Sequence, residues 1–572
     1  MPHEKASFRS STLIAWSLLI AASLVICLAG LGSYQTLRSH EVIAAVPARE
    51  MLHSGDWIVP RYGDVLRAQK PPLVYWLVAS SAWLVGDFDE FVIRLPSALS
   101  ALGLVALLSV WAARWYGREA AFGAALVQMT SFWAIKFGRH AAIDMGLCLL
   151  TTAAMFLIAT QPADESSSKS RWRWTGILTL IAVTWLAKFH YGSAMVFGPV
   201  FVFWMAQRHW RGWRNLVNPV GVLVLAGCAV VWPWLLVRES PEALEQLRSE
   251  TIGRALGEKS RGVWWSYGLH LLLLSLPWLG HVLFAAPQSW LRAWRHGDER
   301  ERFLWIWLLV DVAILSLSPS KHANYLLAIM PVLTLLASQV IARHLARIHR
   351  EQFQIPQFAV SLVIVSAVLA SVVAGVVGSA NWSAAQMGIR GASAVAVCGL
   401  IATWWCWQRR RASLTGWTLF ASAMGVFLVA VTFVTPQLDH RRDSAEFARQ
   451  LRQEVLKDRP VCAYLRSGLL PGFHPSIYYL DEPVYQVRTF AELLQQVPET
   501  GELFAVVERD TLRHLEAVPT VVELEEITPA SFPVGHRETP LVCVRLRSLR
   551  ARSSDDTAQR METSFRIPQI PH

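Results

Sequence analysis

The stretch RAQKPPLVYWLVASSAWLVG, Arg67 to Gly86, decides how the rest of the chain is threaded. After Pro72 its apolar residues run for about fifteen positions, roughly 22 Å of helix at 1.5 Å per residue, which falls short of a ~30 Å hydrocarbon core. Counted as a membrane span, it inverts every later segment. Read as a helix lying at the outer interface, it leaves the later basic loops together on one side. Tyr75, Trp76 and Trp83 support the interfacial reading, since rings with an apolar body and a polar edge settle among headgroups.

The whole composition is that of an integral membrane protein. Of 572 residues, 53% are hydrophobic and only 17% charged, with 27 tryptophans and a mean hydropathy of +0.34. Apolar runs near 12–32, 92–113, 119–137, 144–160, 174–187, 191–206, 216–236, 265–287, 303–317, 324–342, 357–379, 390–408 and 414–434 predict about thirteen spans. The first run is longer than the apolar core of a cleaved signal, so it is expected to remain as an anchor.

Alternate loops are basic: RWYGR (114–118), KSRWR (169–173), QRHWRGWR (207–214), RAWRHGDERER (292–302), ARHLARIHR (342–350) and QRRR (408–411). Cytoplasmic loops collect such residues, so the N-terminus is expected inside. The net charge of +11 is thereby spread over loops, without a basic recognition face, and nucleic acid is not an expected partner. On the outer side lie 33–91, the turn near 138–144, the loop 237–263 and everything after about 435.

The domains expected are a membrane bundle over 1–435 and a small extracytoplasmic α/β domain over 436–548. In the latter, DSAEFARQLRQEVL and TFAELLQQV read as helices, and VCAYL, SIYYL, FAVVE, VVELEEI and LVCVRL as strands. The polar, aperiodic residues 549–572 are expected to be disordered. Five cysteines fall in or beside spans and read as small packing residues. For Cys462 and Cys543, both in outer strands, a disulfide and two buried thiols fit equally.

Several linked segments carry a resemblance: REMLHSGDWIVPRYGDVLRAQKPPLVYWLVA, RLPSALSAL, RWYGREAAFGAAL and GRHAAIDM, then TWLAKFHYG, VVWPWLL, LPWL and SPSKHANYLLAIMP. In this order, over roughly 36–335, they resemble the bacterial aminoarabinose-transferase-like glycosyltransferases, relatives of the protein mannosyltransferases. The resemblance implies a GT-C fold, an all-α polytopic bundle with interfacial helices in the first outer loop. It also implies transfer of a sugar from a polyprenyl-phosphate carrier to a lipid, glycan or protein acceptor outside the inner membrane.

That chemistry needs cations for the leaving phosphate and a carboxylate for the acceptor. Lys70, held before Pro71 and Pro72 at a helix mouth, is the first cation expected at the phosphate, against a snorkelling anchor as the alternative. Lys321, in the family's SK-x-x-x-Y pattern, and Arg254 and Arg261 are further phosphate candidates, against a membrane anchor for the lysine and headgroup contact as the favoured role of the two arginines. Asp144 matches the family's second-loop aspartate, with a helix cap as the competing role. Glu41 is expected as general base, with His40 assisting it; a divalent metal, if any, would be held by His40, Glu41 and Asp144.

The chain departs from better-known members at His40, where they carry Asp before Glu, at Gln69, where they carry Glu, and at KFHYG (188–192), where Lys-Gly-Pro is frequent. A weakened enzyme is therefore one alternative. A lipid or lipid-linked-sugar flippase is another, although no internal repeat is visible and the ionisable residues gather at one rim.

Overall fold

The computed structural model describes residues 16–349 apart from 34–35, 64, 162–166, 209–215, 254–265, 276–277 and 319–320, then 382–434 apart from 410–411, and separate stretches of 442–548. The expected span 357–379 and the tail 549–572 lie outside the described residues. The chain divides into two compact units. The first comprises Met1–Gln35, Pro47–Tyr62 and Leu66–Asp439, and the second Thr36–Val46, Gly63–Val65 and His440–His572.

The first helices are α1 (Trp16–Leu28) and α2 (Ser39–Ser54), the latter passing from the second unit to the first at Pro47. Two short strands, β1 (Arg61–Tyr62) and β2 (Val65–Leu66), precede α3 (Leu73–Val85). Helix α3 has only thirteen residues, about 20 Å. It ends where Gly86 takes a φ of 80°, a left-handed conformation that glycine adopts without steric cost. Its exposed face carries Leu77, Trp83, Leu84 and Val85, an apolar strip suited to lying on lipid.

Next in the chain are helices α4 (Glu90–Tyr116), α5 (Arg118–Thr130), α6 (Phe132–Gly138), α7 (Asp144–Ala159), α8 (Ser167–Lys188) and α9 (Tyr191–Ala206). Then come α10 (Pro219–Glu239), α11 (Ala243–Arg248), α12 (Ser266–Leu274), α13 (Leu279–Trp294), α14 (Glu299–Leu317), α15 (Met330–His349), α16 (Trp382–Gln408) and α17 (Ala412–Val429). Starts are set by side-chain caps: Asp89 accepts from the Val92 N–H at 2.8 Å, and Asn218 from Gly221, with Pro219 in the first turn.

Among the described residues, Glu90–Tyr116, Pro219–Glu239 and Ala323–Arg343 are each long and apolar enough to cross a membrane. Two expected spans are not single straight helices. The 119–137 run bends by 57° between α5 and α6, and the 265–287 run turns by 111° between α12 and α13. Pro277 lies between the latter two, where its missing N–H and its ring oppose a continuous helix.

Lipid tails are as apolar as leucine, so these helices associate through close packing and internal hydrogen bonds. Trp111 stacks on Trp307 with ring centroids 5.8 Å apart, joining α4 to α14. A Cβ on Gly138 would lie 2.8 Å from the Ala101 methyl, so α6 approaches α4 as closely as glycine permits. The fully buried Glu301 ties α13, α14 and α15: it accepts from Ser289, from Arg292 at 2.8 Å and from Gln339 at 3.4 Å. A carboxylate with this many donors can be sealed from water at little net cost.

The second unit contains α18 (Arg442–Gln450), β3 (Val461–Tyr464), α19 (Ser476–Leu480), β4 (Val484–Gln486), α20 (Phe490–Gln495), β5 (Leu503–Glu508), β6 (Val522–Ile527) and β7 (Leu541–Ser548). The sheet order is β4-β3-β5-β7-β6. Strand β3 is parallel to β4 and β5, and β7 antiparallel to β5 and β6. SIYYL is a helix and not the expected strand, a short apolar run whose period alone does not separate the two. Its Tyr479 hydroxyl accepts the Leu37 N–H at 2.8 Å, which holds the start of α2 to this unit.

The register settles the two outer cysteines. Cys462 lies opposite Ala505 on β5, and Cys543 opposite Val506 on the other side of the same strand. With β5 between them they stand about two strand spacings apart, ~9.6 Å, beyond the reach of a disulfide. Burial pushes the Cys462 thiol up to about 11 and the Cys543 thiol up to about 12. Neither is ionised at neutral pH, so both are expected to resist alkylation until the domain unfolds, and reductant is expected to leave its melting temperature unchanged. A reductant-dependent melt would overturn this separation of the two thiols.

Candidate functional site

Lys70 is positioned by a loop whose backbone groups are almost all assigned. Gly55, at φ 74°, closes α2 with its N–H on the Met51 carbonyl at 3.0 Å. Asp56 Oδ1 then accepts from the N–H groups of Ile58 and Val59, turning the chain. Two indoles hold the next carbonyls: Trp76 Nε1 donates to Trp57 O at 2.8 Å, and Trp232 Nε1 to Ile58 O at 3.0 Å. Arg67 N–H donates to Pro60 O at 2.8 Å. After Lys70, Pro72 has helical φ and ψ and its carbonyl accepts the Trp76 N–H, so α3 begins within three residues of the ammonium.

The buried Arg67 donates to the side-chain carbonyl of Gln69. A glutamate there would neutralise that guanidinium; the neutral amide binds it and leaves its charge intact.

The centre of the site is the pair Lys188 Nζ to Asp144 Oδ1, 2.9 Å apart, with side chains 13% and 14% exposed. Each sits at the helix end that suits its charge, Asp144 in the first turn of α7 and Lys188 in the last turn of α8. Asp144 also accepts from the Asn324 side chain and lies in the field of Lys70. The N-cap of α7 is Ile143, so Asp144 is not a capping residue. The Lys188 ammonium lies over the rings of Tyr325 and Tyr191, 4.3 and 5.0 Å from their centroids. Tyr191 donates its hydroxyl to the Tyr325 carbonyl. The α7 start, the α8 end, the α9 start and the 3₁₀ segment Ala323–Ile329 therefore meet around one carboxylate faced by two lysines.

Phe189, beside Lys188, has a φ of 46°. A non-glycine residue in that region costs about 1 kcal/mol or more and persists only where packing over-determines it. Here the ring packs into a cluster with Val59, Leu66, Ala68, Trp232 and Leu236. A glycine, as in the family's Lys-Gly-Pro, meets the same backbone demand without strain.

The other candidates fall elsewhere. His40 is exposed on α2. Glu41 is 1% exposed and its Oε2 accepts the Arg38 N–H at 2.9 Å, the reach-back of a capping box. Both belong to the second unit, whereas Lys70, Asp144 and Lys188 belong to the first. Among the described residues no three His, Cys, Asp or Glu side chains converge as metal ligands. Lys321 donates to the carbonyls of Leu315, Ser316 and Ser318 at 2.9, 2.6 and 2.6 Å and so caps the end of α14. Arg254 and Arg261 lie outside the described residues. Sequence reasoning missed Lys188, Tyr191, Asn324 and Tyr325 as members of the site, although KFHYG and SPSKHANY mark both segments as polar interruptions at span ends.

Residues 69–236 match the family described as dolichyl-phosphate-mannose-protein mannosyltransferase. Two curated relatives carry the name undecaprenyl phosphate-alpha-4-amino-4-deoxy-L-arabinose arabinosyl transferase. The one from Erwinia tasmaniensis is 27% identical over 308 residues, 52% of this chain and 54% of the relative. The one from Pseudomonas savastanoi is 28% identical over 338 residues, 58% and 61%. The chain thus spans little more than half the length of these relatives. In three dimensions it superposes on ArnT from Cupriavidus metallidurans bound to undecaprenyl phosphate, with a TM-score of 0.76 at 21% identity, covering 92% of this chain and 97% of that one. The apo form of that protein gives 0.76 at 22% identity. The chain is thus similar to these transferases over part of its length and shares the fold of the Cupriavidus protein. Its helical membrane fold is the GT-C fold.

In this GT-C chain the Lys188–Asp144 pair is largely sealed, so removing one partner leaves the other charge uncompensated. Asp144→Asn is expected to lower stability by about 1–3 kcal/mol, and adding Lys188→Met to restore part of the loss. Thermal unfolding in nanodiscs of the two single variants and the double variant measures the coupling. Additive losses would show that the two side chains do not act as a pair.

Proposed function

We propose that this chain is an inner-membrane glycosyltransferase that takes a sugar from a polyprenyl-phosphate carrier and places it on a lipid, glycan or protein acceptor at the outer face. The observation that carries the reading is the ion pair of Asp144 with Lys188, at the start of α7 and the end of α8, with Lys70 near enough to act on the same carboxylate through its charge. In the transfer, an acceptor oxygen forms a bond to the anomeric carbon as the bond from that carbon to the phosphate oxygen breaks. Negative charge grows on the departing polyprenyl phosphate, and fixed ammonium groups stabilise it more in the transition state than in the ground state.

In this reading Lys70 holds the donor phosphate and Lys188 supports it, oriented by Asp144. Proton removal from a hydroxyl acceptor is assigned to Glu41, the carboxylate nearest the family's first acidic position, with His40 assisting it. The domain limits 1–435 and 436–548, the thirteen spans, the cytoplasmic N-terminus and the outer C-terminal domain belong to the same proposal, supported by the basic loops.

Incubating the purified protein with labelled polyprenyl-phosphate sugars and membrane extract tests the function. Label is expected to appear on an acceptor. Movement of the carrier between leaflets without transfer would favour a flippase. Lys70→Ala is expected to weaken donor binding roughly 10- to 100-fold, the worth of a charge-assisted contact. Glu41→Gln and Asp144→Asn are expected to stop single-turnover transfer with donor binding largely retained. Unchanged donor affinity in Lys70→Ala would return that lysine to an anchoring role, and full activity in Asp144→Asn would remove the aspartate from the mechanism.

The topology is checked separately. Reporters fused near residue 170 are expected to be active inside and those fused after 550 outside. A cytoplasmic C-terminus would make α3 a span.

A further inference from the structure

We infer that the corner between α10 and α11 is a latch that sets the position of Lys70, and that Gln246 is its positioning residue. The inference rests on the donor role proposed for Lys70. In an extended chain, successive residues turn their backbone polar groups to opposite sides. Arg67 turns its N–H toward Pro60, within the loop. Leu66 and Ala68 therefore present a carbonyl and an N–H on the other side, and a single side chain takes both. Gln246 Oε1 accepts the Ala68 N–H at 2.9 Å, and Gln246 Nε2 donates to the Leu66 carbonyl at 3.2 Å. The carboxamide thus stands in for one residue of a neighbouring strand, carrying a donor and an acceptor where a strand would.

The contact is specific in sequence, 178 and 180 residues distant, and it is backed by packing. Leu66 and Ala68 are buried against Trp232, Leu236, Ala243 and Leu247, which belong to α10 and α11. Only Gln69 separates Ala68 from Lys70, and Pro71 and Pro72 stiffen the backbone on the far side of the lysine. The ammonium therefore inherits the position of the Ala68 peptide. Phe189 enters the same cluster from beside Lys188, so one patch of packing references both lysines to each other. Leu247 in that patch covers the apolar side of the loop, while Gln246 takes the Leu66 carbonyl and the Ala68 N–H.

The test uses the full chain in nanodiscs with Gln246→Ala and Gln246→Glu, the latter retaining an acceptor for the Ala68 N–H. Hydrogen exchange of the peptide covering 66–70 is read beside the melting temperature and the steady-state constants for a labelled polyprenyl-phosphate sugar. In Gln246→Ala, exchange at Ala68 is expected to rise about five- to tenfold, as losing one modest hydrogen bond allows, with the melting temperature nearly unchanged. KM for the donor is expected to rise by a similar factor with kcat within about twofold. Gln246→Glu is expected to keep most of the Ala68 protection. Unchanged exchange in Gln246→Ala would overturn the latch. Raised exchange with unchanged donor KM, or a general loss of stability, would overturn its positioning role. If the wild-type protein transfers nothing from any polyprenyl-phosphate sugar, the functional reading fails, while the exchange experiment still decides the latch.

Discussion

A helix of thirteen residues cannot cross ~30 Å of hydrocarbon, and much of the site's layout depends on that shortfall. Helix α3 has no way to bury both ends of its backbone across a bilayer, and its apolar face is suited to lie along the surface. In the proposed topology the residues just before it are then kept at the rim, where an ammonium stays hydrated while reaching a lipid headgroup. Two prolines fix the entry to the helix, and the Trp76 and Trp232 indoles tie down the preceding carbonyls. Lys70 therefore owes its place to helix length, proline stereochemistry and two tryptophan hydrogen bonds together.

The Asp144–Lys188 pair adds the second constraint. Neither residue is tolerable alone at a span end with so little exposure, and each is placed at the pole of its helix where the backbone dipole favours it. Their pairing also explains why aromatic residues surround the lysine. Tyr191 and Tyr325 present ring faces that keep the cation bound on the sides the carboxylate does not reach. An ammonium so held is oriented by the carboxylate and the two rings.

The features legible in the sequence are those whose signals are local. The short apolar helix after Pro72 and the helix start at Asp144 are of this kind, and hydropathy or motif order exposes them. The bends at Ser131 and between α12 and α13 were hidden because composition stays apolar through a kink. The membership of Lys188 was hidden for a different reason: its partner lies 44 residues away, and only the packing of α7 against α8 brings them together. The carbonyl cap formed by Lys321 has no sequence signal, because its three acceptors are backbone oxygens. The separation of Cys462 from Cys543 likewise needed the strand order, which no spacing in the chain encodes.

One buried acid bears on the choice between transferase and transporter. Asp311 is fully buried within α14, its Oδ2 accepts Trp307 Nε1 at 3.0 Å, and Oδ1 has no hydrogen-bond partner among the described residues. Ionisable groups at this depth often mark ion paths, but a path needs successive polar sites and access to water. The donor to Asp311 is an indole one helical turn away on the same helix, and that indole stacks on Trp111 in the buried core. The Asp144–Lys188 pair is set at helix ends instead, at the start of α7 and the end of α8, and in the proposed function it is this pair that bears on a membrane-anchored phosphate, a role Asp311 does not share.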